Sequence, residues 1–266
     1  MVTPLLKSDI APFIFLAKEE GWICAEWELE FLLRNFPQGC LVRREAGCAL
    51  GYITSIGYEK SGWIGNLLVS RESRRRGIGK TLMESALDVL LRSGVETVWL
   101  TASAEGAGLY RRLGFLAIDG INRWTREGRI RAGEKPPPFD MEAVRKVDRA
   151  GWGDRRDALL ESAFARGRLY GGGDAFLCCQ PWEQGTQLGP WGALAEYQAE
   201  HLLDLALTGA AGRVFLDVPA GNLAAAGFLA KRGFKIRGSN SLMYLGVPPL
   251  YEPKKIFALA SMGSMG

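Results

Sequence analysis

Hydrophobic and polar positions repeat with two different periods along the first 130 residues. Short runs that alternate or are continuously apolar predict strands, and apolar positions that recur every three or four residues predict helices. The predicted strands lie near residues 3–6, 40–44, 49–57, 63–69, 97–101 and from 115 onward. The predicted helices lie near residues 8–20, 25–36 and 77–93, with a short one ending at 113. Strands followed by helix–strand units indicate an α/β (α+β) fold with a mixed sheet.

Two stretches of the chain resemble each other. "VETVWLTASAEGAGLYRRLGF" (95–115) and "GRVFLDVPAGNLAAAGFLAKRGF" (212–234) each hold a strand, a turn, a short helix and a closing Gly-Phe. An internal repeat explains this likeness, and chance similarity of composition is the alternative. Between them, "EGRIRAGEKPPPFDME" (127–142) contains three consecutive prolines, which favour a linker. The sequence therefore predicts two domains, residues 1–130 and 139–266.

Composition excludes several classes of protein. The chain has 266 residues and a net charge of +4, which does not by itself indicate a nucleic-acid partner. Five cysteines without a CxxC pair, and one histidine, give no zinc spacing, so we expect reduced, mostly buried thiols and no metal. The N-terminus shows no signal peptide, and no apolar run is long enough to span a bilayer. We expect a cytoplasmic protein without a membrane partner.

The stretch "SRRRGIGKTL" (73–82) lies where a predicted strand gives way to a predicted helix. A triphosphate-binding loop, G-x-x-x-x-G-K-S/T, would need glycine where Arg74 stands, and a dinucleotide loop would need glycine where Leu82 stands. The pattern R/Q-x-x-G-x-G/A does fit: it begins at Arg74, and its two glycines are Gly77 and Gly79. These glycines allow backbone N–H groups to approach a diphosphate, and the helix N-terminus and the arginines add attraction.

With "GNLLVSRESRRRGIGKTLMESAL" and the later "AGLYRRLGF", residues 3 to about 126 resemble the GCN5-related N-acetyltransferase (GNAT) superfamily. The resemblance implies a mixed, mostly antiparallel sheet with splayed central strands, flanked by helices, in each half. It implies acetyl-CoA as the donor, with its pantetheine on the main chain of Leu67, Leu68 and Val69. It also implies a diphosphate site formed by Arg74, Arg75, Arg76, Gly77, Ile78, Gly79, Lys80 and Thr81.

The same resemblance implies catalytic roles. Tyr110 matches the family tyrosine that protonates the departing thiolate, although a core tyrosine is the alternative. Ser103 stands where the family often has an asparagine that contacts pantetheine, so that contact is open here. The attacking amine needs a base or a water wire near neutral pH. Asn66 through a water, Glu26, Glu59 and Asp119 are the open candidates for this role.

The second half of the chain lacks the tyrosine and the glycine–arginine loop found in the first half. Leu229 stands where Tyr110 stands before Gly-Phe, and Asn222 lies seven residues earlier. The stretch 187–207 contains no glycine–arginine loop and carries Glu196 and Glu200, which repel a diphosphate. We expect a degenerate second GNAT-like domain that does not bind the coenzyme normally, as in tandem acetyltransferases. "GRLYGGGDAF" (167–176) is expected to be a turn between strands and not a phosphate loop.

The sequence therefore predicts an acetyl-CoA-dependent N-acyltransferase that acts on the amine of a small or amino-acid-like acceptor. Two alternatives stay open: a protein that binds acyl-CoA without turnover, and a protein lysine acetyltransferase. The expected partners are acetyl-CoA and the acceptor, without nucleic acid. A homodimer is one of the open oligomeric states.

Overall fold

The computed structural model describes residues 1–127, 139–183, 185–210 and 212–266. These residues divide into two compact units. Unit 1 contains residues 1–100, 244–247 and 262–266, and unit 2 contains residues 101–243 and 248–261. The predicted linker lies for the most part outside the described residues. The compact units differ from the predicted division at 130/139, which stays a prediction about the repeats.

Unit 1 is built on a sheet with the strand order β1-β2-β3-β4-β5. The pairs from β1 to β4 are antiparallel, and β4 runs parallel to β5. Its strands are β1 (Val2–Pro4), β2 (Leu41–Glu45), β3 (Cys48–Gly57), β4 (Ser61–Val69) and β5 (Thr97–Ala102), the last two residues of which belong to unit 2. Its helices are α1 (Ile10–Glu19), α2 (Glu26–Asn35) and α3 (Ile78–Arg92).

Helix α3 forms because its apolar residues share one face. Ile78, Leu82 and Ala86 are buried, whereas Lys80 and Glu84 are exposed. The buried face lies against β3, where a methyl group on Gly51 would come within 3.2 Å of the side chains of Ile78 and Leu82. Burying such an apolar face is the main source of stability for a helix in a globular protein.

Unit 2 is built on a second set of neighbouring strands, in the order β11-β6-β10-β9-β8-β7, with β12 paired to β9. Its strands are β6 (Leu116–Glu127), β7 (Arg168–Gly172), β8 (Ala175–Trp182), β9 (Gly185–Ala193), β10 (Arg213–Pro219), β11 (Lys235–Gly246, ending in unit 1) and β12 (Ile256–Ala258). Its helices are α4 (Ala107–Arg112), α5 (Met141–Trp152), α6 (Asp157–Arg166), α7 (Glu196–Gly209) and α8 (Leu223–Lys231). The glycine-rich stretch at 167–176 is the β7–β8 hairpin, as expected.

The closing strands of the two repeats are exchanged. Strand β6 follows α4 in the first repeat, yet residues 121–127 pair antiparallel with β10 of the second repeat. Conversely, the end of β11 packs in unit 1 on the start of β5: the Val247 N–H donates to the Glu96 carbonyl (3.0 Å), and the Thr97 hydroxyl donates to the Val247 carbonyl (2.7 Å). The exchange explains why the compact units do not follow the repeats along the chain.

The mixed α/β class and the mostly antiparallel sheet flanked by helices are confirmed. All five cysteines are free thiols. Cys40 and Cys178 are buried, Cys24 and Cys179 are half-buried, and Cys48 is exposed. No helix in the described part of the chain is long and apolar enough to cross a membrane.

Candidate active site

In unit 1, strands β4 and β5 separate after a short parallel ladder. The ladder joins Ser61 to Thr97 and ends where Trp63 faces Trp99, although β4 continues to Val69. Within the separated part, the β3–β4 register shifts, and Asn66 takes a left-handed backbone conformation with φ of 55°. The bulge turns the backbone at the residues that the sequence assigns to pantetheine. A strand edge of this kind offers N–H and C=O groups to an extended ligand.

The loop after β4 leads into a helix that has no side-chain cap. Gly77 is the N-cap of α3 with φ of 78°, and the first turn holds no acidic residue. Among the described residues, no side chain accepts a hydrogen bond from the N–H groups of this turn. Arg75 is also left-handed, with φ of 63°. The first N–H groups of a helix lack partners within the helix, and its N-terminus carries partial positive charge. The predicted loop therefore presents backbone donors and positive charge at one place.

The three arginines of the loop differ in their contacts. Arg74 pairs with Glu20 at 2.8 Å and also donates to the Val69 carbonyl at 3.2 Å. Arg76 pairs with Glu45 at 2.7 Å, and both side chains are about half exposed. Arg75 is exposed and contacts no acidic partner in the described residues. Of the three, Arg75 has the guanidinium that can bind an anion without first leaving a carboxylate.

Two further predicted residues, Ser103 and Tyr110, lie in unit 2 around the start of α4. The Ser103 hydroxyl accepts from the Gly106 N–H at 3.2 Å and caps the turn. The Tyr110 ring packs edge-on against Phe115, with 6.1 Å between ring centroids. Burial raises the pKa of Tyr110 to about 12. Within the described residues the Tyr110 hydroxyl forms no hydrogen bond, so its proton is available for a ligand.

The candidates for the base or water-holding role differ in their exposure and in their hydrogen-bond partners. Glu26 and Glu59 are exposed. Asp119 accepts from the Gly221 N–H and from the Tyr251 hydroxyl (2.9 Å), which gives it a structural role in unit 2. Asn66 donates its side-chain amide to the Thr54 hydroxyl at 3.0 Å, beside the separated part of β4.

Sequence reasoning missed Glu28, a carboxylate on α2 in unit 1 that is only 2% exposed. One of its oxygens accepts from the Ala25 N–H at 3.2 Å, and the other accepts from the Ser264 hydroxyl at 2.7 Å. A Glu at the third residue of a helix is a common cap signal, but the distant serine has no signal in the sequence.

In unit 2, strands β9 and β10 repeat the separation seen in unit 1. Their parallel ladder spans only Gly185 to Gln187 on β9, the same short length as the β4–β5 ladder. Beyond it, however, β12 fills the space. Ile256 and Ala258 pair with β9, and the Leu259 N–H donates to the Asp217 carbonyl on β10 at 2.9 Å. A segment of the protein itself thus occupies the cleft of the second repeat.

Asn222 and Leu229 show how this filled cleft differs from a ligand site. The Asn222 side-chain amide donates to the Ile256 carbonyl of β12 at 2.9 Å, while its oxygen caps α8. The resemblance places a pantetheine-contacting asparagine at this position, and here its partner is β12. Leu229, at the position of the repeat tyrosine, is fully buried. Glu196 lies in the first turn of α7, where its charge disfavours an anion.

Two family models match the chain, at residues 7–115 (acetyltransferase, GNAT, family) and at residues 144–258 (acetyltransferase, GNAT, domain). The protein belongs to the GNAT acetyltransferases. It carries two GNAT domains in tandem, as the repeat predicted. GNAT enzymes generally use acetyl-CoA and bind an acceptor.

Known proteins agree with this assignment. An uncharacterized N-acetyltransferase of Methanocaldococcus jannaschii is 27% identical over 119 residues, which are 41% of this chain and 52% of the relative. The chain thus matches about half the length of that relative. A putative acetyltransferase structure from Pyrococcus horikoshii shares 22% identity, with a TM-score of 0.85 over 100% of this chain and 95% of that one. A GNAT structure from Sphaerobacter thermophilus gives a TM-score of 0.65 at 14% identity, over 97% and 98% of the two chains. These structures share the GNAT fold with this protein.

In the ranges described above, no group of three or more His, Cys, Asp or Glu side chains is arranged to hold a metal ion. The assignment of individual ligand-contacting residues stays a prediction.

Proposed function

We propose that this protein transfers an acetyl group from acetyl-CoA to the amine of a small or amino-acid-like acceptor by direct attack. One observation carries the proposal: in unit 1, the strand that separates from its neighbour leads, through the arginine loop, to a helix N-terminus without a side-chain cap. An extended thioester carrier with a diphosphate at one end suits such an arrangement, because its amides need strand-like partners and its diphosphate needs positive charge.

The residues present fit acetyl-CoA without rearrangement of the helix. Gly77 and Gly79 have no side chains that could block the N-terminal amides of α3. The space beside Gly77 is open, because a methyl group added there would have no neighbouring atom within 4 Å. The left-handed backbone of Gly77 nevertheless favours glycine. The residues proposed to hold the coenzyme are Leu67, Leu68 and Val69 for pantetheine, Arg74, Arg75, Arg76, Gly77, Ile78, Gly79, Lys80 and Thr81 for the diphosphate, and Ser103.

Acetyl-CoA supplies an acetyl thioester that an amine attacks. A main-chain N–H of Leu68 or Val69 is proposed to donate to the thioester carbonyl, since a fixed donor stabilises the charge that develops there. Tyr110 is proposed as the general acid that protonates the departing sulfur. Its raised pKa keeps the phenol protonated throughout the neutral range, as this role requires.

The second repeat, proposed as the domain of residues 139–266, is assigned no coenzyme. The main support is β12, whose backbone pairs with β9 and bonds to β10 where a ligand would lie. The full chain should therefore bind one coenzyme and not two. The oligomeric state stays open, with a homodimer as one possibility, and the absence of nucleic-acid and membrane partners stays a prediction.

The test combines titration with a thiol-release screen. Calorimetry of the full chain with CoA should give one site per chain, and polyamines, amino acids, aminoglycosides and peptides should then be offered with acetyl-CoA. Thiol release with one acceptor class supports the proposal. Coenzyme binding without turnover across the panel would favour a sensor of acyl-CoA. No coenzyme binding would refute the assignment of the site altogether.

A further inference from the structure

The last five residues of the chain, 262–266, belong to unit 1, where they form a segment that we call the C-terminal wall. The wall is well buried: Ser264 is 6% exposed and Met265 is 1% exposed. The sequence gives no reason to expect this placement, because "SMGSMG" has neither helical nor strand periodicity.

Three separate elements hold the wall. The Trp63 indole N–H on β4 donates to the Gly263 carbonyl at 3.1 Å. The Ser264 hydroxyl donates to the buried carboxylate of Glu28 on α2 at 2.7 Å. The Tyr58 hydroxyl, at the turn between β3 and β4, donates to the Met265 carbonyl. These bonds, from three different elements, tie the wall to unit 1.

The wall lies on the face of β4 that α3 leaves uncovered. A methyl group on Gly62 would come within 2.8 Å of Leu90 of α3, so Gly62 faces that helix. Gly65 is three residues further along, and neighbouring residues of a strand point to opposite faces. A methyl group on Gly65 would come within 2.5 Å of the Ser264 carbonyl oxygen. The wall therefore packs backbone to backbone against the opposite face, next to Asn66.

This position determines which acceptors can approach. The inference rests on the proposed function, in which the thioester lies along the separated part of β4. Helix α3 covers one face of that strand, so an attacking amine must come from the other face. There the wall already occupies the space over Trp63 and Gly65. We propose that the wall restricts the acceptor to amines of small molecules and excludes a lysine within a peptide or folded protein. A lysine within a chain needs room on both sides, whereas a small amine needs access from one side only.

The experiment measures binding, so it does not depend on knowing the acceptor. CoA is joined through an acetyl bridge at its sulfur either to propylamine or to the central lysine of a nonapeptide. Calorimetry compares both conjugates with CoA itself. The wild-type protein should bind the propylamine conjugate at least as well as CoA and the peptide conjugate about tenfold or more weakly.

A loosened wall should remove this discrimination. The variant Tyr58→Phe/Ser264→Ala loses two of the hydrogen bonds named above, and amide exchange of residues 262–266 reports the loosening. Gly65→Ala, whose methyl group displaces the Ser264 backbone, serves as a second variant. Both should bind the two conjugates with affinities within about threefold of each other. Ser93→Ala, which removes an exposed hydroxyl at the end of α3, is the matched control and should discriminate like the wild type.

The outcomes separate the two proposals. If neither CoA nor a conjugate binds, the proposed function fails and this inference fails with it. If CoA binds and the wild-type protein accepts both conjugates equally, the inference alone is overturned. It is also overturned if a variant with faster amide exchange at residues 262–266 still rejects the peptide conjugate.

Discussion

Replacing Arg75 with alanine tests the proposed diphosphate site at residues 74–81 most directly. Its guanidinium is exposed and contacts no acidic partner in the described residues, so its removal breaks no ion pair of the free protein. Its neighbours are less suitable. Arg74 bonds to Glu20 and to the Val69 carbonyl, and Arg76 bonds to Glu45. A change at either of these would alter both the free protein and the complex.

The size of the effect follows from one charge-assisted contact. A hydrogen bond to a charged group contributes about 1.5–3 kcal/mol. Each 1.4 kcal/mol corresponds to a tenfold change in affinity, so Arg75→Ala should weaken binding of acetyl-CoA about 10- to 100-fold. Arg76→Ala should weaken the binding of acetyl-CoA less than Arg75→Ala. When the ligand binds, Arg76 must first give up its exposed ion pair with Glu45, which is worth about 0–1 kcal/mol.

Calorimetry with two ligands separates the diphosphate from the rest of the coenzyme. The Arg75→Ala loss should appear with acetyl-CoA and vanish with S-acetylpantetheine, which has no diphosphate. Arg92→Ala is the matched control, since this exposed arginine ends α3, about 20 Å from the loop. The reasoning is refuted if Arg75→Ala leaves acetyl-CoA affinity unchanged, or if both ligands lose affinity equally.

Three further predictions follow from single contacts. Tyr110→Phe should lower kcat about 100-fold or more with little change in coenzyme affinity. Because burial raises the pKa of Tyr110 to about 12, the pH–rate profile of the wild-type protein should not fall below about pH 11. A fall near pH 9 that disappears in the variant would contradict the role of Tyr110 as the general acid. Gly246→Ala should lower the free energy of unfolding by about 2 kcal/mol or more, because φ is 99° and the new methyl group would lie 2.2 Å from the Glu96 carbonyl oxygen. Gly238→Ala in the same strand is the control and should leave the stability nearly unchanged, since its methyl group would have no neighbour within 4 Å. Urea denaturation measures both, and equal stabilities would argue against the exchanged position of β11. Asp148→Asn should lower the free energy of unfolding by about 3–5 kcal/mol in the same assay, because it removes the negative charge from a buried, bidentate ion pair with Arg156; a loss below about 1 kcal/mol would contradict that account.

Local patterns in the sequence were sufficient for the elements of the first half and for the backbone conformation of Gly77, whereas anion binding by the loop stays a prediction. The helix predicted at 77–93 is Ile78–Arg92, and the strand predicted at 63–69 is the second part of Ser61–Val69. Such elements follow from apolar periodicity, and the loop follows from glycines whose backbone conformation other residues rarely adopt. Gly77 does adopt that conformation, with φ of 78°.

Long-range placement could not be predicted in the same way. A strand pattern indicates that a strand exists, but it does not name its neighbour, so β6 and β11 carried no sign of their exchange. The segments 256–258 and 262–266 are too short for a periodic signal. Their positions depend on partners far away in the chain, such as Asn222 for the first and Glu28 for the second.

The two separated strand pairs differ in what lies beyond their parallel ladders. Each pair starts with a three-residue parallel ladder, so the separation itself is a property of the fold. Buried backbone N–H and C=O groups need partners, and separated strands must obtain them from elsewhere. In unit 2, β12 supplies those partners, with Asn222 holding the Ile256 carbonyl. In unit 1, the strand that leaves its neighbour at Trp63 ends beside a helix whose first turn carries positive charge and no cap. The same backbone requirement that β12 meets within the second repeat is therefore the one that an extended thioester ligand would meet in the first.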